Sequence, residues 1–118
     1  MNSEKKIQNT QQKLALCVKS LESSKALDIV FIDVKENSSI TDFMVICTGT
    51  SNRHVCAIAD RLSDHLSQYG VKGVSISGQQ EGLWVLADAG DVIVHILQQE
   101  ARDRYQLESL YRVVRAEA

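Results

Sequence analysis

Residues 43–69 read FMVICTGTSNRHVCAIADRLSDHLSQY, and the fold is decided here. The first six residues, Phe43 to Thr48, are almost wholly apolar, which suits a strand covered on both faces. Gly49-Thr50-Ser51 then ends the strand and opens a helix. The Ser51 hydroxyl can accept from a free backbone N–H of the first turn. Val55, Ile58, Ala59, Leu62 and Leu66 recur at helical spacing, leaving Arg53, Asp60, Arg61 and Asp64 largely outside the stripe. Gly70 stands where the helix must stop, at a cap position whose positive φ only glycine adopts cheaply.

Upstream, LDIVFIDV at residues 27–34 is a continuous apolar run rich in β-branched residues, a second doubly covered strand. Residues 35–41 are a polar connection. Ile7, Leu14, Val18 and Leu21 predict a helix over 4–23. Downstream, residues 74–77 and 83–87 read as short strands. Asp88-Ala89-Gly90-Asp91 is a turn into a strand over 92–98, so the last two strands form a hairpin. Leu107, Leu110, Tyr111 and Val114 predict a closing helix over 100–115. The sum is an α/β fold, a mixed sheet of about five strands with flanking helices. With no proline, repeat or low-complexity stretch, residues 1–118 are expected to form one domain.

The chain has 118 residues, 44% hydrophobic and 24% charged, enough for a sizeable core. No apolar run approaches the ~20 residues that cross a bilayer. Residues 1–13 are polar with both charge signs, unlike a signal or transit peptide. Cys17, Cys47 and Cys56 are an odd number without close pairing. They are expected to be reduced and mostly buried, as in a cytoplasmic protein. The net charge of −2, with no basic stripe, argues against a protein whose main contact is nucleic acid.

The chemistry-bearing residues form no convincing catalytic set. Gly49-Thr50-Ser51 could hold an anion at a helix N-terminus, yet no phosphate-loop spacing accompanies it, and a capped turn explains it. His54 has no carboxylate or cysteine at metal-ligand spacing. His65 reads as a surface residue and His95 as a hydrogen-bonded core or interface residue. Asp88 and Asp91 bracket Ala89-Gly90 as a tight turn prefers. Trp84, the only tryptophan, has two readings: buried, with a partner for its indole N–H, or exposed as an interface anchor. Tyr105, with Arg102, Arg104 and Glu108 around it, is either a solvated helix start or an aromatic anchor with a polar rim.

Four blocks together resemble the ribosomal silencing factor family, also called Iojap-like. They are ALDIVFIDV (26–34), SSITDFMVICTGTSNRHVCAIADRL (38–62), GLWVLADAGDVIVHI (82–96) and ARDRYQLESLY (101–111). The resemblance implies a fold related to the nucleotidyltransferases and a non-enzymatic cytoplasmic repressor of translation. It implies binding to the large ribosomal subunit through its ribosomal protein fourteen, which blocks subunit association when nutrients are scarce. It further implies a homodimer when free; no cofactor is expected, and the charge balance points to little direct nucleic-acid contact. Carried over by position, Trp84, Tyr105 and Leu107 are expected at the ribosomal contact, with Arg102 and His95 in the same set. Arg102, Glu108 and Leu110 match the closing motif, where a structural role competes with contact, and Thr48 to His54 is expected to be structural. The chain departs from the family in having Tyr111 where tryptophan is common. It also has Ser77 where an acid often precedes the glycine, with Glu81 a candidate replacement.

The alternative is a nucleotidyltransferase-type enzyme. Such an enzyme needs a pair of carboxylates on the strand after the Gly-Ser turn, because Mg²⁺ prefers oxygen ligands. The strand over 74–77 has none.

Overall fold

The computed structural model describes residues 6–36 and 38–109, together with the backbone of 110 and of 114–115. Its elements run α1 (Thr10–Ser23), β1 (Leu27–Asp33), β2 (Phe43–Gly49), α2 (Asn52–Gln68), β3 (Ser75–Ser77), β4 (Trp84–Asp88), β5 (Val92–Gln98), α3 (Gln99–Tyr105), a 3-10 turn (Leu107–Leu110) and β6 (Val114–Arg115). The sheet order is β3-β4-β5-β2-β1-β6. β2 and β5 are parallel, Phe43 opposite Val92 through Gly49 opposite Gln98, and the other pairings are antiparallel. The expected five strands are all present, and β4 and β5 form the expected hairpin. The sixth, β6, is a two-residue addition at the β1 edge.

Period-two alternation sorts the strand residues onto two faces. Phe43, Val45 and Cys47 of β2, Val85 and Ala87 of β4, and Val92, Val94 and Ile96 of β5 pack under α1 and α2. Leu14, Cys17 and Leu21 descend from α1, and Val55, Ile58, Ala59, Leu62 and Leu66 from α2. The opposite face carries Val30, Ile32, Ile46 and Leu97, and among the described residues the short α3 and the turn after it close over them, through Ala101 and Leu107. This unequal cover leaves part of the second face open around β4.

Local chemistry explains the element ends. Asn9 caps α1 by accepting from the Gln12 N–H at 2.9 Å, and Ser51 caps α2 by accepting from the His54 N–H at 3.1 Å. Gly70, at φ +89°, ends α2 with paired bonds from Gly70 N–H to Ser67 O and from Val71 N–H to Leu66 O. The first helix starts at Thr10, later than the periodicity predicts, because the Asn9 cap ends it there. Residues 4–5 lie outside the described residues.

The closing helix differs more. α3 stops at Tyr105, where Gln106 enters the left-handed region at φ 47° and its N–H bonds to Arg102 O. The chain then makes the 3-10 turn and returns to pair with β1. Tyr111 and the side chain of Val114, placed by periodicity on a helix face, lie outside the described residues. Cys17 and Cys47 are buried as expected, and burial pushes both thiols up to about 12.

Gly82 shows how tightly the hairpin loop meets α2. At φ +68°, a Cβ placed there would lie 2.4 Å from Asn52 Cβ. Gly82→Ala is therefore expected to lower the unfolding free energy by about 1–3 kcal/mol, read by urea denaturation.

Candidate functional site

Trp84 and His95 lie on the same sheet face as diagonal neighbours, since Trp84 pairs with Leu97 and Leu86 with His95. The Trp84 indole N–H donates to His95 Nδ1 at 3.0 Å. Indole nitrogen only donates, so His95 Nδ1 is an acceptor and the neutral ring holds its proton on Nε2. Burial pushes the His95 imidazole down to about 4, which keeps that acceptor through the neutral pH range. Trp84 is thus neither fully buried nor fully exposed. Its N–H has a buried partner, and the half-buried ring still presents a face to a cleft.

Tyr105 lies over that ring, with centroids 4.8 Å apart and planes tilted by 48°. It is 49% exposed, among the few large hydrophobic residues so open. A cleft of about 540 Å³ follows the pair, with Leu83 and Leu86 as apolar walls and Ser77, Gly78, Gln80 and Glu81 along its rim. Leu107 is partly buried and packs with Met44, Leu83 and Trp84 against the second core cluster.

Arg102 sets where Tyr105 stands. Only 7% exposed, it donates from Nη1 to Thr48 Oγ1 at 2.8 Å. It also grips Glu108 through Nε at 3.1 Å and Nη2 at 2.9 Å. This two-pronged pairing suits guanidinium and carboxylate planes. It binds α3 both to the end of β2 and to the 3-10 turn. A continuous helix would set positions 102 and 108 about 240° apart around the axis, so the pair exists only because the helix breaks at Gln106. Sequence periodicity hides it for that reason.

Of the five predicted site residues, the structure brings Trp84, Tyr105 and Leu107 to one end of the sheet. It seats His95 beneath Trp84 and turns Arg102 of α3 inward onto Thr48 at the end of β2. Glu81, singled out in the sequence only as a candidate replacement for a missing acid, joins the cleft, and so does Leu86, which had no signal beyond its neighbourhood to Trp84.

The Thr48–His54 block is a structural joint. His54 Nδ1 accepts from the Thr50 N–H at 2.9 Å, and its Nε2 bonds to Ser24 O at 2.9 Å, tying the start of α2 to the end of α1. His65 is half-buried, its Nδ1 2.7 Å from Ser20 Oγ across the helix pair, where a surface position was expected. Asp88 closes its turn by accepting from the Gly90 N–H. Asp91 is held by Lys13, 2.7 Å away, and by the Thr10 hydroxyl. Burial alone would raise the Asp91 carboxyl, but the bonds from Lys13 and Thr10 outweigh it and hold it below its usual range.

A family model described as "ribosomal silencing factor during starvation" matches residues 7–118. The ribosomal silencing factor of Haemophilus influenzae is 45% identical over 94 residues, spanning 80% of this chain and 92% of its own. That of Chromobacterium violaceum is 40% identical over 96 residues, covering 81% and 79%. A crystal structure of a Chromobacterium violaceum protein superposes with a TM-score of 0.85 at 38% identity, over 88% of this chain and 87% of that one.

Two expectations follow from the geometry. Between pH 6.5 and about 4 an unfolded His95 takes up a proton while the folded one does not, so this residue's contribution to stability falls as pH falls through that window. The slope approaches about 1.4 kcal/mol per pH unit. His95→Asn should abolish it in denaturation curves taken at successive pH values. Arg102→Met, which removes the bonds to Thr48 and Glu108, should cost about 2 kcal/mol and shift the Trp84 emission as Tyr105 loosens.

Proposed function

The chain belongs to the ribosomal silencing factor family, and from that membership we propose that it represses translation by binding the large ribosomal subunit. Bound there through the subunit's ribosomal protein fourteen, it excludes the small subunit sterically and lowers translation when nutrients are limiting. The observation that carries this reading is the Trp84–Tyr105 pair, a half-open aromatic surface beside a cleft and backed by a rigid sheet. Aromatic anchors over apolar walls with a polar rim are the usual anatomy of a protein contact.

Trp84 and Tyr105 make the contact. Leu107 supports them from below, and His95 and Arg102 hold them in position. The net charge of −2 favours a protein surface over bare RNA as the main partner. The factor acts in the cytoplasm without a cofactor, and no described helix is long and apolar enough to cross a membrane. Free molecules pair as homodimers.

The enzyme reading finds little support. The backbone N–H of Thr50 and the hydroxyl of Ser51 are spent on His54 and the helix cap. Asp88 and Asp91 are committed to a turn and to Lys13. Among the described residues no three His, Cys, Asp or Glu side chains stand together as metal ligands would.

The test is co-sedimentation with purified large subunits, with subunit rejoining followed in the same samples. The wild type should bind and reduce rejoining. Tyr105→Ala and Trp84→Ala should each weaken binding by ~30-fold, the roughly 2 kcal/mol expected of a hot spot. Tyr105→Ala is the cleaner variant, because half of that side chain already faces solvent. A wild-type protein without affinity for large subunits would overturn the proposal.

A further inference from the structure

The cleft beside Trp84 carries a charge that its apolar walls do not explain. Of the side chains lining it, only Glu81 bears a formal charge at neutral pH. The carboxylate sits on a loop whose backbone is fastened at several points. The Gly82 N–H bonds to Gly78 O at 2.9 Å, and the Gln98 side-chain amide donates to Gly82 O at 2.8 Å. The Gln98 N–H bonds to Leu83 O, and the Cys56 thiol donates to Gln79 O. Positive φ at Gly78 and Gly82 brackets Glu81, and a Cβ at Gly78 would meet Trp84 O at 2.3 Å. The loop is therefore pressed against the first residue of β4, and Glu81 is held at the rim of the aromatic cleft.

We propose that Glu81 is a specificity-determining residue, so that the cleft takes a partner segment pairing an apolar side chain with an adjacent lysine or arginine. The apolar side chain lies against Trp84, Leu86 and Tyr105, and the cation meets the Glu81 carboxylate. An acidic segment is repelled, both by Glu81 and by the negative net charge of the chain. Glu81 is solvent-exposed, so its pairing acts chiefly on the rate of encounter and its salt dependence, whereas the aromatic pair controls residence time. This inference rests on the ribosomal reading above and names the chemistry of the surface that the site accepts.

The experiment measures association and dissociation rates with purified large subunits at about 0.05, 0.15 and 0.5 M salt. Wild type is compared with Glu81→Gln, Glu81→Lys and Tyr105→Ala, and far-UV circular dichroism with urea denaturation confirms that each variant keeps its fold. Glu81→Gln should bind about five-fold more weakly at low salt, mostly through slower association, and match wild type at high salt. Glu81→Lys should lose ten-fold or more at low salt. Tyr105→Ala should lose binding at every salt concentration, mainly through faster dissociation. If Tyr105→Ala loses binding while both Glu81 variants behave as wild type, or if Glu81→Lys binds more tightly, the Glu81 proposal is overturned and the ribosomal reading stands. If wild type itself fails to bind, both fall together.

Discussion

The parallel pairing of β2 with β5 is the constraint on which the rest of the molecule depends. Parallel neighbours cannot be joined by a tight turn, so the chain must leave the sheet after β2 and cross over before β5. α2 makes that crossing, and β3 and β4 are inserted on the way, outside β5. Both central strands are buried on their two faces, which is why their residues run apolar almost without alternation. Once they are paired, β1 adds to one side and the β4–β5 hairpin to the other. Trp84 is thereby carried to the same face as His95, within reach of its ring nitrogen.

The two faces of the sheet are treated differently, and the difference makes the site. α1 and α2 bury most of one face. Among the described residues, the other is closed by a seven-residue helix and the turn after it. A full-length helix there would shield the sheet more evenly and would separate Arg102 from Glu108. Because Gln106 adopts a left-handed conformation, the chain doubles back, and the buried guanidinium can grip the carboxylate and the Thr48 hydroxyl together. A left-handed non-glycine residue costs roughly 1–2 kcal/mol, which the charged pair and the packing of Leu107 offset. The same break leaves Tyr105 at the end of α3, tilted over Trp84 and open to solvent.

Polar groups that could suggest chemistry are mostly consumed by architecture. His54 has both ring nitrogens engaged at the joint between α1, α2 and the end of β2. Lys13 and Asp91 latch α1 to the hairpin turn, with Lys13 also reaching Ala89 O at 2.7 Å. The Trp84–Tyr105 pair, by contrast, keeps an aromatic surface open beside its cleft.

The apolar runs of β1, β2 and β5, the stripe of α2 and the Asp-Ala-Gly-Asp turn were legible in the sequence. Each is a local pattern whose period or turn chemistry admits one conformation. The blocks around Trp84 and Tyr105 were also enough to mark the family and to nominate Trp84, Tyr105 and Leu107. The end of the closing helix was not legible, because Leu107, Leu110, Tyr111 and Val114 keep helical spacing and neither glycine nor proline marks the break at Gln106. Only tertiary contact decides it: α3 must stop where Arg102 can reach Thr48 on a strand 54 residues away. The placement of His95 and Glu81 depends likewise on neighbours distant in the chain or on a packed loop. Periodicity determines which face of an element turns inward, but it carries no information about which side chains from other elements are waiting there.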